Sequence, residues 1–122
     1  VALRVREYEE GIAFYSEGLG FQVIEDTDLG HKRWVVLRAP GKGGALLVLS
    51  RAVGQEQLDC VGYQAGGRVL FVLHTDSFSA DFERLRSRGV EFVEEPRRET
   101  YGTVAVFKDL YGNRLDLIEP VA

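Results

Sequence analysis

The sequence predicts an α+β domain built from two tandem βαβββ modules. Three observations predict it. Hydrophobic periods of two residues and of about 3.6 residues alternate in the order β-α-β-β-β, and that order occurs twice. The apolar stripes of the two helices superpose at a shift of 70 residues: Phe78 falls on Tyr8, Phe82 on Ile12 and Leu85 on Tyr15. One long connection, residues 51–67, separates the copies. This divides the chain into module one at 1–50, a linker at 51–67 and module two at 68–122, all within a single domain of 122 residues.

The elements follow in order. "VALRVR" alternates, with Val1, Leu3 and Val5 on one face and Ala2, Arg4 and Arg6 on the other, as a half-buried strand requires. "EYEEGIAFYSEGLGF" has helical spacing, with Tyr8, Ile12, Tyr15 and Leu19 on one stripe. Glu9 and Glu10 suit the positive end of the helix dipole, and Gly20 ends the helix. Strands follow near 21–28, 32–39 and 45–51, with "DLGH" and "APGKGG" as turns. The linker carries a short helical piece. In the second copy "RVLFVLHT" is a strand, "SFSADFERLRSRGV" a helix ended by Gly89, and strands near 91–95, 102–108 and 114–119 complete the set. Gly112 and Asn113 form the last hairpin turn, since both residue types tolerate positive φ.

Composition narrows the partners. The net charge is −4 and the basic residues are spread along the chain, so nucleic acid is not an expected partner. No apolar run approaches the roughly 20 residues that span a bilayer. The single cysteine, Cys60, cannot form an internal disulfide, which fits a reducing, cytoplasmic compartment. The chain opens on "VALRVR" without methionine, so part of its start is expected to be missing or replaced.

Two segments carry a family resemblance. "VALRVREYEEGIAFYSEGLGF" resembles the first βα segment of the vicinal oxygen chelate superfamily, which includes glyoxalase I, bleomycin-resistance proteins and extradiol dioxygenases. "FKDLYGNRLDLIEP" resembles the closing hairpin of the same group. The resemblance implies a glyoxalase-like fold whose curved mixed sheets enclose a cleft, with helices outside and two chains pairing as a homodimer. Physics agrees with a shared cavity, because one helix cannot bury both faces of a four-stranded sheet.

Metal-dependent members of the group place ligands on the first and last strands of each module. Carried over, the first position precedes Val1, the second falls within "ALLVL", the third is Leu70 and the fourth is Asp116. Only Asp116 has a ligand-type side chain, whereas metal sites normally use three or more protein ligands. No metal and no other cofactor is therefore expected, with Asp116 the one weak metal candidate.

Alternation places Arg4, His74, Arg114 and Asp116 toward the cleft, at one end of an apolar surface. One reading makes His74 a proton-transfer group with Asp116 beside it, and Arg4 or Arg114 the holder of an anionic ligand group. The other makes Asp116 a structural partner of Arg114 or Arg4, and His74 a solvated strand-end residue. Trp34 and Tyr101 lie where family members often line the pocket; they stack on a flat ligand or belong to the core. His31 is expected to be exposed in a turn, and Cys60 has no nearby histidine to activate it.

The leading expectation is a protein that binds a small anionic or aromatic molecule in the cleft without a complete metal site. A metal-dependent lyase, isomerase or dioxygenase is the rival. A structural or regulatory module with a closed cleft is the third reading.

Overall fold

The twofold β-α-β-β-β order is realised in the computed structural model, which describes residues 1–41 and 44–121. Lys42 and Gly43, in the turn expected at "APGKGG", lie outside the described residues. The elements are β1 (Ala2–Val5), α1 (Tyr8–Ile12), β2 (Gln22–Asp28), β3 (Arg33–Arg38), β4 (Leu46–Arg51), α2 (Gln55–Cys60), β5 (Val69–His74), α3 (Phe78–Ser87), β6 (Arg97–Glu99), β7 (Gly102–Lys108) and β8 (Arg114–Pro120). They form two mixed four-stranded sheets, ordered β1-β4-β3-β2 and β5-β8-β7-β6. In each, the first and last strands of the module pair in parallel and the other pairings are antiparallel. Contacts divide the chain into two compact units, Val1–Gln64 and a second that starts at Ala65.

In the first unit one sheet face buries Leu3, Val5, Val35, Leu37, Leu47 and Leu49 against Tyr15, Leu19 and Phe21. The expected helix is present, but it widens. α1 passes into a π-helical stretch, Ala13–Gly18, where the Leu19 amide reaches back five residues to the Phe14 carbonyl at 3.0 Å. Gly20, at φ 84°, ends it as expected. Tyr15 and Leu19 are core residues, whereas Tyr8 and Ile12 are only half-buried. Gly11 takes the buried place instead. A Cβ there would stand 2.9 Å from Val5 Cγ1 and 3.2 Å from Leu49 Cδ1, so the missing side chain is what lets the helix sit this close to the sheet.

The outer edge of β1 is not bare. The Arg4 amide donates to Gln64 Oε1, and Gln64 Nε2 donates to the Ala2 carbonyl at 3.0 Å. The glutamine amide thus pairs with the strand as a peptide would and covers its free edge.

In the second unit Phe78, Phe82 and Leu85 are buried on α3, as the stripe predicts, against Ala105, Phe107, Leu115 and Leu117. The Phe78 amide at the start of α3 donates to Glu119 Oε1 at 2.7 Å, so a β8 carboxylate satisfies an amide the helix leaves unpaired.

The sixth strand departs from expectation. Residues 91–93 do meet β7, through Lys108 N to Glu91 O and Val93 N to Val106 O, both at 2.9 Å. The ladder then breaks because the Glu94 carboxylate, not a carbonyl, accepts the Val106 amide at 3.2 Å, and Pro96 has no amide to give. Pairing resumes three residues on, as β6, with Arg97 opposite Val104.

The last hairpin also differs in detail. Only Gly112 has positive φ, at 94°. Asn113 is buried and acts as a clamp: its amide donates to Asp109 Oδ1 and its Nδ2 to Oδ2, both at 2.9 Å.

Candidate functional site

On each sheet one face packs against a helix of its own unit, α1 or α3, and the other face is turned away from that helix. On β8, Leu115 and Leu117 are buried under α3, so alternation turns Arg114, Asp116 and Ile118 to the opposite side. The register completes that face. Asp116 stands between Val72 on β5 and Val106 on β7, and Ile118 stands between His74 and Val104. A register shift between Val69 and Phe71 precedes Val72 and leaves Leu70 without a partner in the ladder. Val72 is 46% exposed and His74 is exposed, while Val106, Asp116 and Ile118 are half-buried.

The carboxylate at the centre of this row is perturbed. Burial pushes the Asp116 carboxyl above the usual range; the Arg97 guanidinium pulls it back, and the Glu94 carboxylate adds to the rise. Arg97 is itself engaged, with Nε 3.1 Å from Glu94 Oε1 and Nη1 2.6 Å from Glu99 Oε1. Among the described residues no ion pair joins Asp116 to Arg114, and no hydrogen bond engages its carboxylate. Arg114 is exposed. Tyr101, 51% exposed, lies in the turn before β7 and accepts the Val121 amide on its carbonyl at 3.0 Å.

Glu94 and Arg97 were not among the residues that sequence reasoning singled out. The available signal was Pro96 inside a charged run, which marks a strand interruption and not a site.

In the first unit the face turned away from α1 carries Arg4 and Trp34. Arg4 lies opposite Ser50, and Trp34 lies opposite Thr27, each out of phase with the buried pairs Leu3–Leu49 and Val35–Leu49. Trp34 Nε1 donates to Glu25 Oε2 at 3.0 Å, and the Lys32 ammonium stands 5.8 Å from the ring centre. Both Trp34 and Arg4 are half-buried. His31 and Cys60 are exposed.

Among the described residues no three His, Cys, Asp or Glu side chains gather in a way that could hold a metal ion. No described helix is long and apolar enough to cross a membrane.

Comparison with known proteins adds to this geometry. The family model described as "Glyoxalase/Bleomycin resistance protein/Dioxygenase superfamily" matches residues 1–117. An uncharacterized protein of Shewanella frigidimarina (strain NCIMB 400) is 50% identical over 121 residues, spanning 98% of this chain and 90% of that protein. The crystal structure of UcmS2 is similar at a TM-score of 0.83 and 33% identity, covering 97% of this chain and 93% of its own. TnmS3, described as an antibiotic binding protein from Streptomyces sp. CB03234, has a TM-score of 0.78 and 30% identity, with 99% of this chain and 93% of its own covered.

Proposed function

The chain belongs to the glyoxalase/bleomycin resistance protein/dioxygenase superfamily, and from that premise we propose that it binds a small aromatic molecule without the metal site common in the group. The binding surface is the face of the second sheet turned away from α3. One observation carries the reading: an apolar mid-strand row stays accessible there, with Val72 46% exposed beside Asp116, Val106 and Ile118. Burying such a surface under a ring contributes about 25 cal/mol per Å². TnmS3, 30% identical, is described as an antibiotic binding protein, which supports a small molecule as the occupant.

Tyr101, exposed before β7, offers a ring to stack on the ligand, and Arg114 offers a guanidinium to any acidic group it bears. His74 and Asp116, on neighbouring strands of one face, are the residues to test for proton transfer. Trp34 and Arg4 are the corresponding candidates on the first sheet. Pairing of two chains as a homodimer belongs to the same proposal, and light scattering that returns twice the chain mass would support it.

A melting-temperature screen over small aromatic and carboxylate compounds tests the reading. Trp34, the single tryptophan, provides a second readout by fluorescence. A concentration-dependent rise in Tm with an aromatic compound is expected. Unchanged melting and fluorescence across the whole panel would favour a structural or regulatory role instead. A stoichiometric metal ion in the purified protein, lost on Asp116→Ala, would restore the metal-dependent reading.

A further inference from the structure

We infer that the molecule held on this face carries a protonated amine, received by Asp116. The inference rests on the ligand reading above and names the chemistry of that ligand. Asp116 is set between Val72 and Val106, two apolar side chains on the adjoining strands, so a ring lying on them brings a substituent to the carboxylate. That carboxylate has no ion-pair partner among the described residues. The nearby guanidinium is already committed, since Arg97 bonds both Glu94 and Glu99. The Arg97 guanidinium is thus shared by three carboxylates, bonding Glu94 and Glu99 and acting on Asp116 only through its charge. The complement is a positive charge with a hydrogen to donate, and an anion brought to the same spot is repelled. Burial already disfavours the lone charge of Asp116, which an ammonium would neutralise.

Arg114 faces the same side two residues away, about 6.6 Å along the strand, and would favour an acid instead. The test therefore compares three compounds with one ring system: 2-naphthylmethylamine, 2-naphthalenemethanol and 2-naphthoic acid, titrated calorimetrically. The amine is expected to bind roughly tenfold more tightly than the alcohol, because a bond with both partners charged replaces one in which only the carboxylate is charged. Asp116→Asn should bring that ratio close to one; Asp116→Glu should keep the preference. In the unaltered protein, raising salt from about 0.02 M to about 0.5 M should erode the amine preference. Equal binding of amine and alcohol, a preference for the acid, or an amine preference that survives Asp116→Asn would overturn the inference and leave the binding surface standing. Failure of all three compounds to bind would remove both.

Discussion

Replacing Gly102 with alanine probes the turn that presents Tyr101 to solvent. Gly102 opens β7 at φ 153°, opposite Pro120. A Cβ added there would stand 2.3 Å from the Glu119 carbonyl oxygen, and 3.0 Å from both the Glu119 carbonyl carbon and Pro120 Cα. Even close carbon–oxygen contacts in sheets lie near 3.3 Å, so the overlap is about 1 Å. All three atoms are main chain on β8, held by a register that runs from Gly102–Pro120 to Lys108–Arg114. No side-chain rotation relieves the clash; the end of the ladder must open. Opening it forfeits two main-chain hydrogen bonds, including Val121 N to Tyr101 O. At about 1 kcal/mol each, with about 1 kcal/mol more for the positive φ, the loss is about 3 kcal/mol. Unfolding entropy of about 2.1 cal/mol/K per residue converts this to a fall in Tm of about 12 °C for a chain of this length. Thermal melting followed by circular dichroism measures it. Gly112→Ala is the control: its φ is also positive, at 94°, but no atom lies within 4 Å of the added carbon. That variant should lose only about 1 kcal/mol. A Gly102→Ala protein melting within about 3 °C of the parent would refute the steric account.

Three further outcomes are expected. Asp109→Ala removes the acceptor for the Tyr111 and Asn113 amides and for Asn113 Nδ2, and should cost about 3 kcal/mol in denaturant unfolding; a loss below about 1 kcal/mol would mean the clamp is dispensable. Asp116→Asn should raise Tm at neutral pH. Because burial lifts the folded-state pKa of Asp116, its contribution to stability falls as pH rises from the ordinary carboxylate value through the raised one. The gain from asparagine should therefore shrink in acid, and a lower Tm at pH 7 would reveal a partner for the carboxylate. Asp26 behaves in the opposite sense, since Arg33 holds its carboxyl below the usual range. Its contribution is present at neutral pH and lost as pH falls through the depressed pKa. Asp26→Asn should cost less than about 1 kcal/mol at pH 7, because both side chains are about a third exposed and solvent screens the pair, and nothing below that range; equal cost at both pH values would show that charge is not involved.

The order of elements, the buried stripe of α3 and the facing of β8 were all open to reading in the primary structure. Each follows from a local rule: a period of two or 3.6 residues decides which side chains share a face. Asp116 falls on the face opposite Leu115 and Leu117 for that reason. What surrounds it followed no local rule. Glu94 and Arg97 reach the neighbourhood of Asp116 because a side-chain carboxylate interrupts the β6 ladder and shifts the pairing, an event that depends on where the Val106 amide lies in space. The buried glycine of α1 was equally silent, since an absent side chain has no hydrophobic signature; only the approach of Val5 and Leu49 gives it meaning. Periodicity along the chain thus determined the architecture of each module. The partners of each charge were decided by contacts between residues distant in sequence, because hydrogen bonds and steric limits act over a few ångströms of space and not over positions in a chain.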